Sequence, residues 1–182
     1  GAKLQGEAFL FRSDLRDLIT RVRVDTQTMQ GYPLYQKENA GRAYIQGFEM
    51  AWRWTFATNW SVQGALTYTY GQNMSQREPV RRIPPLFGRL ALDYAPGAWS
   101  AGAEWLASDK QSRLAKGDTD DNRIPRGGTP GWNVVNLYTG YTWRVFSFRL
   151  SALNLFNRDY RTHGSGVNGY GRSVFATISV GI

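Results

Sequence analysis

The segment HGSGVNGYG carries His163, Ser165 and three glycines, Gly164, Gly166 and Gly169, at the spacing of a dinucleotide-binding fingerprint. That fingerprint works only where it ends a strand and opens a helix, with an acidic residue about 20 positions further on. Here a strand-like segment follows and the chain stops first, so the stretch reads as a glycine-rich loop that needs positive φ. His163 and Ser165 raise the question of hydrolysis, but a serine nucleophile needs a base and an orienting acid. With one histidine and no G-x-S-x-G elbow, no catalytic set is expected, and the chain is not read as an enzyme. His163 reads instead as a surface histidine, with a ligand contact, for instance to haem, as the alternative.

DTDDN places Asp118, Asp120 and Asn122 at the first three ligand spacings of a calcium loop. Arg123 stands where a glycine is needed and Thr129 where the bidentate glutamate belongs, which excludes an EF-hand. A solvated acidic loop is the first reading and an irregular calcium site the alternative; no metal site and no cofactor are assigned. Arg77, Arg81 and Arg82 cluster in one stretch, and Arg158, Arg161 and Arg172 surround another. Guanidinium groups suit carboxylate and phosphate recognition. Arg77, Arg81, Arg82, Arg158, Arg161 and His163 are therefore candidates for ligand capture, with lipopolysaccharide binding or plain solvation as the other readings of the arginines.

These stretches lie between segments of strict alternation. In YIQGFEMAWRWTF one face carries Tyr44, Phe48, Met50, Trp52, Trp54 and Phe56, the other Ile45, Gly47, Glu49, Ala51, Arg53 and Thr55. That is a strand with one apolar and one wet face. The pattern recurs in Leu18–Val24, Trp60–Tyr70, Leu86–Tyr94, Trp99–Trp105, Arg144–Phe156 and Ser173–Ile182, while Gln5–Ser13 is ambiguous because Phe9, Leu10 and Phe11 are consecutive. Short turns are expected at Asp14–Leu15, Ala57–Asn59, Pro96–Gly97 and around Trp143–Arg144. Long connections are expected at Thr26–Gly41, Gln72–Pro85, Lys110–Gly131 and Asn157–Arg172. Several exceed the dozen or so residues usual in a compact soluble domain, whereas short turns on one rim and long loops on the other are the habit of outer-membrane barrels.

Composition narrows the choice. Aromatic residues make up 14% of the 182 residues, with seven tryptophans and 20 glycines, although mean hydropathy is negative. No stretch has the roughly 18 uninterrupted apolar residues of a membrane helix. A net charge of +8 would suit nucleic acid, but the basic residues are spread along the chain, so no nucleic-acid partner is assigned. The absence of cysteine removes disulfide frameworks and thiolate metal sites. No signal peptide is visible, so any export signal is expected upstream of Gly1.

Charge placement separates a soluble sandwich, whose apolar face is dry, from a barrel, whose apolar face meets lipid. Arg21, Arg23, Glu49, Arg53, Arg89, Asp93, Glu104 and Arg149 all fall on the less apolar face of their strands and are expected to line a hydrated lumen. Trp52, Trp54, Phe56, Trp60, Trp99 and Trp143 crowd toward the short turns, as a lipid-facing girdle does. About nine strands are expected; an odd number cannot close a purely antiparallel barrel, so the chain reads as part of a larger all-β antiparallel transmembrane barrel. A small self-contained barrel acting as a passive pore or adhesin, and a soluble basic β-domain, are the alternatives.

GRAYIQGFEM, WSVQGALTYTYGQN, RRIPPLFGRLALDY and LSALNLFNRDYRTHGSGVNGYGRSV resemble the carboxy-terminal part of TonB-dependent outer-membrane receptors, over residues 42–182. The resemblance implies a barrel of about 22 strands in the outer membrane, plugged by an amino-terminal domain. It implies import of a scarce nutrient, a ferric siderophore first, haem or cobalamin next, energised by the TonB complex. The implied partners are outer-membrane lipid, lipopolysaccharide, a metal chelate, and TonB through a plug. Two departures stand out: the plug and the TonB-contacting box are missing from residues 1–182, and the chain ends at Ile182 where the family usually ends on an aromatic residue.

Overall fold

A computed structural model describes residues 1–39 and 41–181, with the side chains of all of these except residues 20–23, 25–27 and 33. Period-two alternation becomes strands, as it must where only one face of a segment can be wetted. In chain order these are β1 (Lys3–Leu15), β2 (Ile19–Met29), β3 (Tyr32–Asn39), β4 (Ala43–Ala57), β5 (Trp60–Asn73), β6 (Glu78–Pro79), β7 (Phe87–Tyr94) and β8 (Trp99–Ser108). After the single-turn helix α1 (Lys116–Thr119) come β9 (Trp132–Trp143), β10 (Phe146–Leu153) and β11 (Ser173–Val180). One antiparallel sheet runs β1-β4-β5-β7-β8-β9-β10-β11, with the two-residue β6 attached to β5.

That sheet holds nine strands, but its membership differs from the expected nine. Leu18–Val24 does not enter the wall: β2 pairs with β3 in a separate two-stranded sheet, and β6 makes up the number. Asp14–Leu15 is accordingly not a turn, since β1 continues through both residues and pairs Leu15 with Ala43 of β4. The reason is cross-strand register: thirteen consecutive pairs join β1 to β4, so the hairpin between them is an excursion from the rim where the other long connections emerge. Arg21 and Arg23, expected on the lumen face, belong to this excursion, and their side chains lie outside the described residues. Ile182 also lies outside the described residues.

The short connections turn where the backbone can reverse. Asn59 at φ 66°, Gly97 at φ 62° and Arg144 at φ 53° supply the left-handed conformations of the three tight turns of the main sheet, and Gln30 at φ 52° and Gly31 at φ 80° those of the β2–β3 turn. The register keeps one parity of each strand on each face. Arg53 faces Gln63, Ala65 faces Arg89, Ala91 faces Glu104 and Glu104 faces Asn136. Trp54, Val62 and Leu92 therefore share the opposite face, as do Trp105 and Val135.

Nothing among the described residues covers that apolar face. Trp54, Trp60, Leu90, Leu92, Trp99, Trp105, Phe148, Leu150 and Ile178 are all exposed, and few hydrophobic side chains are buried anywhere. A soluble sandwich would bury this face against a second sheet; here the sheet is one layer, with β1 and β11 as its edges. Aromatic rings complete its surface by lying over glycines directly across the pair. Trp52 covers Gly64 on the apolar face, and Tyr138 covers Gly102 on the polar face. At each glycine a Cβ would enter the ring opposite, so the glycine is the seat that lets the ring lie flat.

Gly64→Val is therefore expected to expel the Trp52 indole and cost about 1–3 kcal/mol. The midpoint of urea unfolding in lipid vesicles reads this loss, and Trp52→Leu in the same chain should restore part of it. An unchanged midpoint for the single substitution would show that the ring does not use this seat.

Candidate functional site

On the polar face, side chains from six strands come together in a ladder. Arg53 donates to Ser61 at 3.1 Å and Gln63 to Asp93 at 2.7 Å, and the Tyr138 hydroxyl donates to the other oxygen of Asp93. Arg89 reaches Glu104 at 2.6 Å, and Asn136 donates to the second Glu104 oxygen at 2.8 Å. The Arg149 guanidinium lies 5.1 Å from the centroid of the Tyr138 ring. Both carboxylates thus accept two bonds each, which holds them in place. Glu49 shares this face by register, opposite Thr67, but has no hydrogen bond among the described residues.

The ladder continues into the long-loop rim. The Asn154 amide donates to Asn136 at 2.9 Å, and the Asn154 side chain closes the 154–172 connection by bonding the carbonyls of Arg158 and Tyr170 and the Arg158 amide. Asn154 and Tyr138 were not singled out from the sequence. Tyr138 is visible there only as an aromatic at a polar-face position, and Asn154 only as part of the LSALNLFNRDY motif.

On the opposite face the rings form a band along the short-turn rim. Trp54 meets Phe56 at 5.4 Å, Phe56 meets Trp60 at 6.4 Å, Trp60 meets Tyr94 at 4.5 Å, Trp99 meets Tyr141 at 4.5 Å and Trp143 meets Phe146 at 6.1 Å. Tyr94, Tyr141 and Phe146 join the expected tryptophans in this band. Trp52 sits a step further from the rim, over Gly64.

Three long connections interlock at the opposite rim. Asp118, only 1% exposed, accepts from the backbone amides of Arg82 and Ala115 at 3.2 Å and pairs with Arg81 at 3.6 Å. Asp121 gathers Arg81 at 3.7 Å, Arg82 at 2.9 Å and Arg123 at 2.7 Å. The expectation of a solvated acidic loop at DTDDN is overturned for Asp118, because two loops fold arginines and amides around it. Arg81 and Arg82 are held by these aspartates. Arg77 is exposed in a turn at φ 54°, and Arg158 is exposed in the 154–172 connection. Gln111 donates to the Ile83 carbonyl at 2.8 Å, and Arg113 to the Gly71 carbonyl at 2.9 Å, fastening the 109–131 connection to β5 and its neighbour.

His163 links the third connection to the second through Nδ1 and the Thr129 hydroxyl, 2.9 Å apart. Its Nε2 is buried without a partner. Ser165 is not its partner: the Ser165 hydroxyl donates to the Val167 carbonyl at 2.9 Å. Burial holds the imidazole below its usual value of 6.5, and Arg82 adds to the shift against the opposing pull of Asp118 and Asp121.

A histidine whose folded value is depressed supports its contacts fully above the unfolded value and loses that support as pH falls through the folded one. Amide hydrogen exchange in the 154–172 connection, corrected for its intrinsic pH dependence, is expected to be flat above pH 6.5 and to quicken below it. His163→Gln, which cannot titrate, should remove that dependence below pH 6.5. A slope that survives the substitution would show that His163 is not its source.

Residues 1–157 match the family model described as TonB dependent receptor-like, beta-barrel. Among solved structures, the copper transporter OprC is 26% identical with a TM-score of 0.86, covering 98% of this chain and 29% of its own. The FrpB iron transporter of Neisseria meningitidis, at 13% identity and a TM-score of 0.74, covers 97% and 29%. A ferric enterobactin receptor mutant of Pseudomonas aeruginosa, solved with enterobactin, is 19% identical at a TM-score of 0.72 with the same coverages. The chain thus spans less than a third of these proteins, and at the two lower identities the likeness is one of fold. The family is one of outer-membrane transporters and receptors. With its uncovered apolar face, its polar ladder and its interlocked long loops, the chain belongs to the TonB-dependent receptor β-barrel family.

Proposed function

We propose that this chain forms part of the wall and outer loops of an outer-membrane importer that takes up a scarce metal as a chelate, a ferric siderophore first, driven by TonB. The reading is carried by one observation: a single sheet holds an exposed aromatic face and, behind it, a ladder of hydrogen-bonded polar and charged side chains. Such a wall suits lipid outside and a hydrated lumen inside, with Arg53, Arg89, Asp93, Glu104 and Arg149 lining the passage and Glu49 beside them. On this reading residues 1–182 all belong to the carboxy-terminal barrel region. A plug elsewhere in the full protein supplies the TonB contact.

The net positive charge lies almost wholly in the long connections, which supports capture of an anionic chelate there and contact with lipopolysaccharide phosphates at the same rim. Arg77, Arg158 and Arg161 are the capture candidates, while Arg81, Arg82 and His163 hold the loops in place. Import of copper is the second reading, favoured by the likeness to the copper transporter.

Cells carrying the full-length receptor are expected to accumulate a radiolabelled ferric siderophore in a manner that falls to background when TonB is deleted. Radiolabelled copper in a parallel assay separates the two cargoes. Uptake that persists without TonB would instead identify a passive pore.

A further inference from the structure

The apolar face of β8 to β11 is not uniformly bulky. Across these four strands one row holds Trp99, Tyr141, Phe148 and Ile178, and the next row, further from the short turns, holds Ala101, Thr139, Leu150 and Ala176. Large side chains beside small ones leave a groove of about 320 Å³, floored by Thr139 and Ala176 and walled by the first row and Leu150. The Trp99 and Tyr141 rings fix one wall by packing with centroids 4.5 Å apart. The Thr139 hydroxyl donates to the Ser100 carbonyl at 2.9 Å, so the hydroxyl of the floor is already bonded and an apolar occupant leaves it nothing to lose.

The short-turn rim beside this groove carries charge of one sign. Segments 1–3, 57–60, 95–98 and 143–146 meet it, and their charged side chains are Lys3 and Arg144, both cations. Asp118, Asp121 and Asp159 belong to the long connections at the opposite rim. Arg144 stands over the Trp143 ring at 5.5 Å, in the turn that its φ of 53° closes. From there a rail of rings leads to the groove, Trp143 to Phe146 at 6.1 Å and Phe146 to Phe148 at 6.4 Å. Thr139 lies five residues from Arg144 along β9 and its turn. At about 3.3 Å per residue and a strand tilt of about 40°, that is roughly 13 Å of depth, against about 15 Å for half of a hydrocarbon core. An acyl chain whose headgroup sits at Arg144 therefore reaches the groove within its own leaflet.

We propose that the groove and Arg144 form a binding site for one anionic phospholipid of the periplasmic leaflet, its phosphate at the guanidinium and one acyl chain laid between the wall of Trp99 and Tyr141 and Leu150. The assignment rests on the import reading in one respect, that lipid meets the apolar face with the short turns toward the periplasm. Charge selects the headgroup: at a rim with cations and no carboxylate, a lipid of net negative charge gains an attraction that a zwitterionic one lacks. Shape selects the chain, because a flexible run of methylenes fills a shallow apolar groove and gains dispersion contacts along its length. Ile178 bounds the groove on β11, the edge of the sheet, so the next strand of a closed barrel lies beyond it.

The test uses the full-length receptor purified in detergent, titrated with dimyristoyl phosphatidylglycerol or dimyristoyl phosphatidylethanolamine and read by native mass spectrometry. The most tightly held lipid should be phosphatidylglycerol, retained about fivefold better than phosphatidylethanolamine, the attraction of one basic side chain near a headgroup. Arg144→Gln should abolish that preference and leave the weaker retention common to both lipids. Ala176→Phe and Thr139→Phe, which fill the floor, should each lower retention of both lipids while keeping the heat-modifiable migration of the folded barrel. Equal retention of the two lipids, a preference that survives Arg144→Gln, or retention untouched by both floor substitutions would overturn the proposal. A dimer that Ala176→Phe dissociates would overturn it as well, giving the groove to a second copy of the chain. Lipid preference in a receptor without TonB-dependent uptake would remove the import reading and leave the site assigned; uptake without lipid preference would do the reverse.

Discussion

A strand in hydrocarbon has no water to satisfy its amides and carbonyls, so each must be bonded to the neighbouring strand, and the side chains are left to partition between two solvents. The continuous antiparallel register from β1 to β11 meets that demand over eight long strands. Once the register is set, the period of two leaves no freedom over which residues share one face of the sheet and which the other. Arg53 sits between two tryptophans because consecutive side chains leave opposite sides of the sheet, and its guanidinium reaches Ser61 across the pair rather than the indoles beside it in sequence.

The two faces are stabilised by different physics. On the apolar face, contacts between rings, and rings seated over glycines, supply shape and dispersion. On the polar face, Asp93 and Glu104 each bind two donors from other strands, so that neither of these carboxylates depends on one partner. The network passes through Asn136 and Asn154 into the 154–172 connection. The interior of the wall and one outer loop are therefore parts of the same hydrogen-bonded structure.

The loops reverse the usual division of labour between charge and core. Ile83, Ala115 and Ile124 are among the few buried apolar side chains, and beside them Asp118 and Asp121 draw arginines from two connections into one cluster. Long segments without a hydrophobic interior are otherwise costly to order. Here directional bonds from buried carboxylates fix them.

What the sequence by itself determined follows from a local rule. Alternation read over a dozen residues placed β4, β5, β7, β8, β10 and β11 and separated Arg89 and Glu104 from Leu90 and Trp105, because side-chain direction depends only on the neighbouring peptide units. The family was legible too, in motifs such as RRIPPLFGRLALDY. Alternation alone could not say that Leu18–Val24 would pair with β3 instead of joining the wall, since partner choice is decided by register with distant strands. Nor could it say that Asp118 would be buried, because the Arg82 amide that meets it comes from 36 residues away. Only the tertiary structure decided which loop charges neutralise one another and which, like Arg161 beside Asn168, keep a neutral partner, because that depends on where three long connections come to rest.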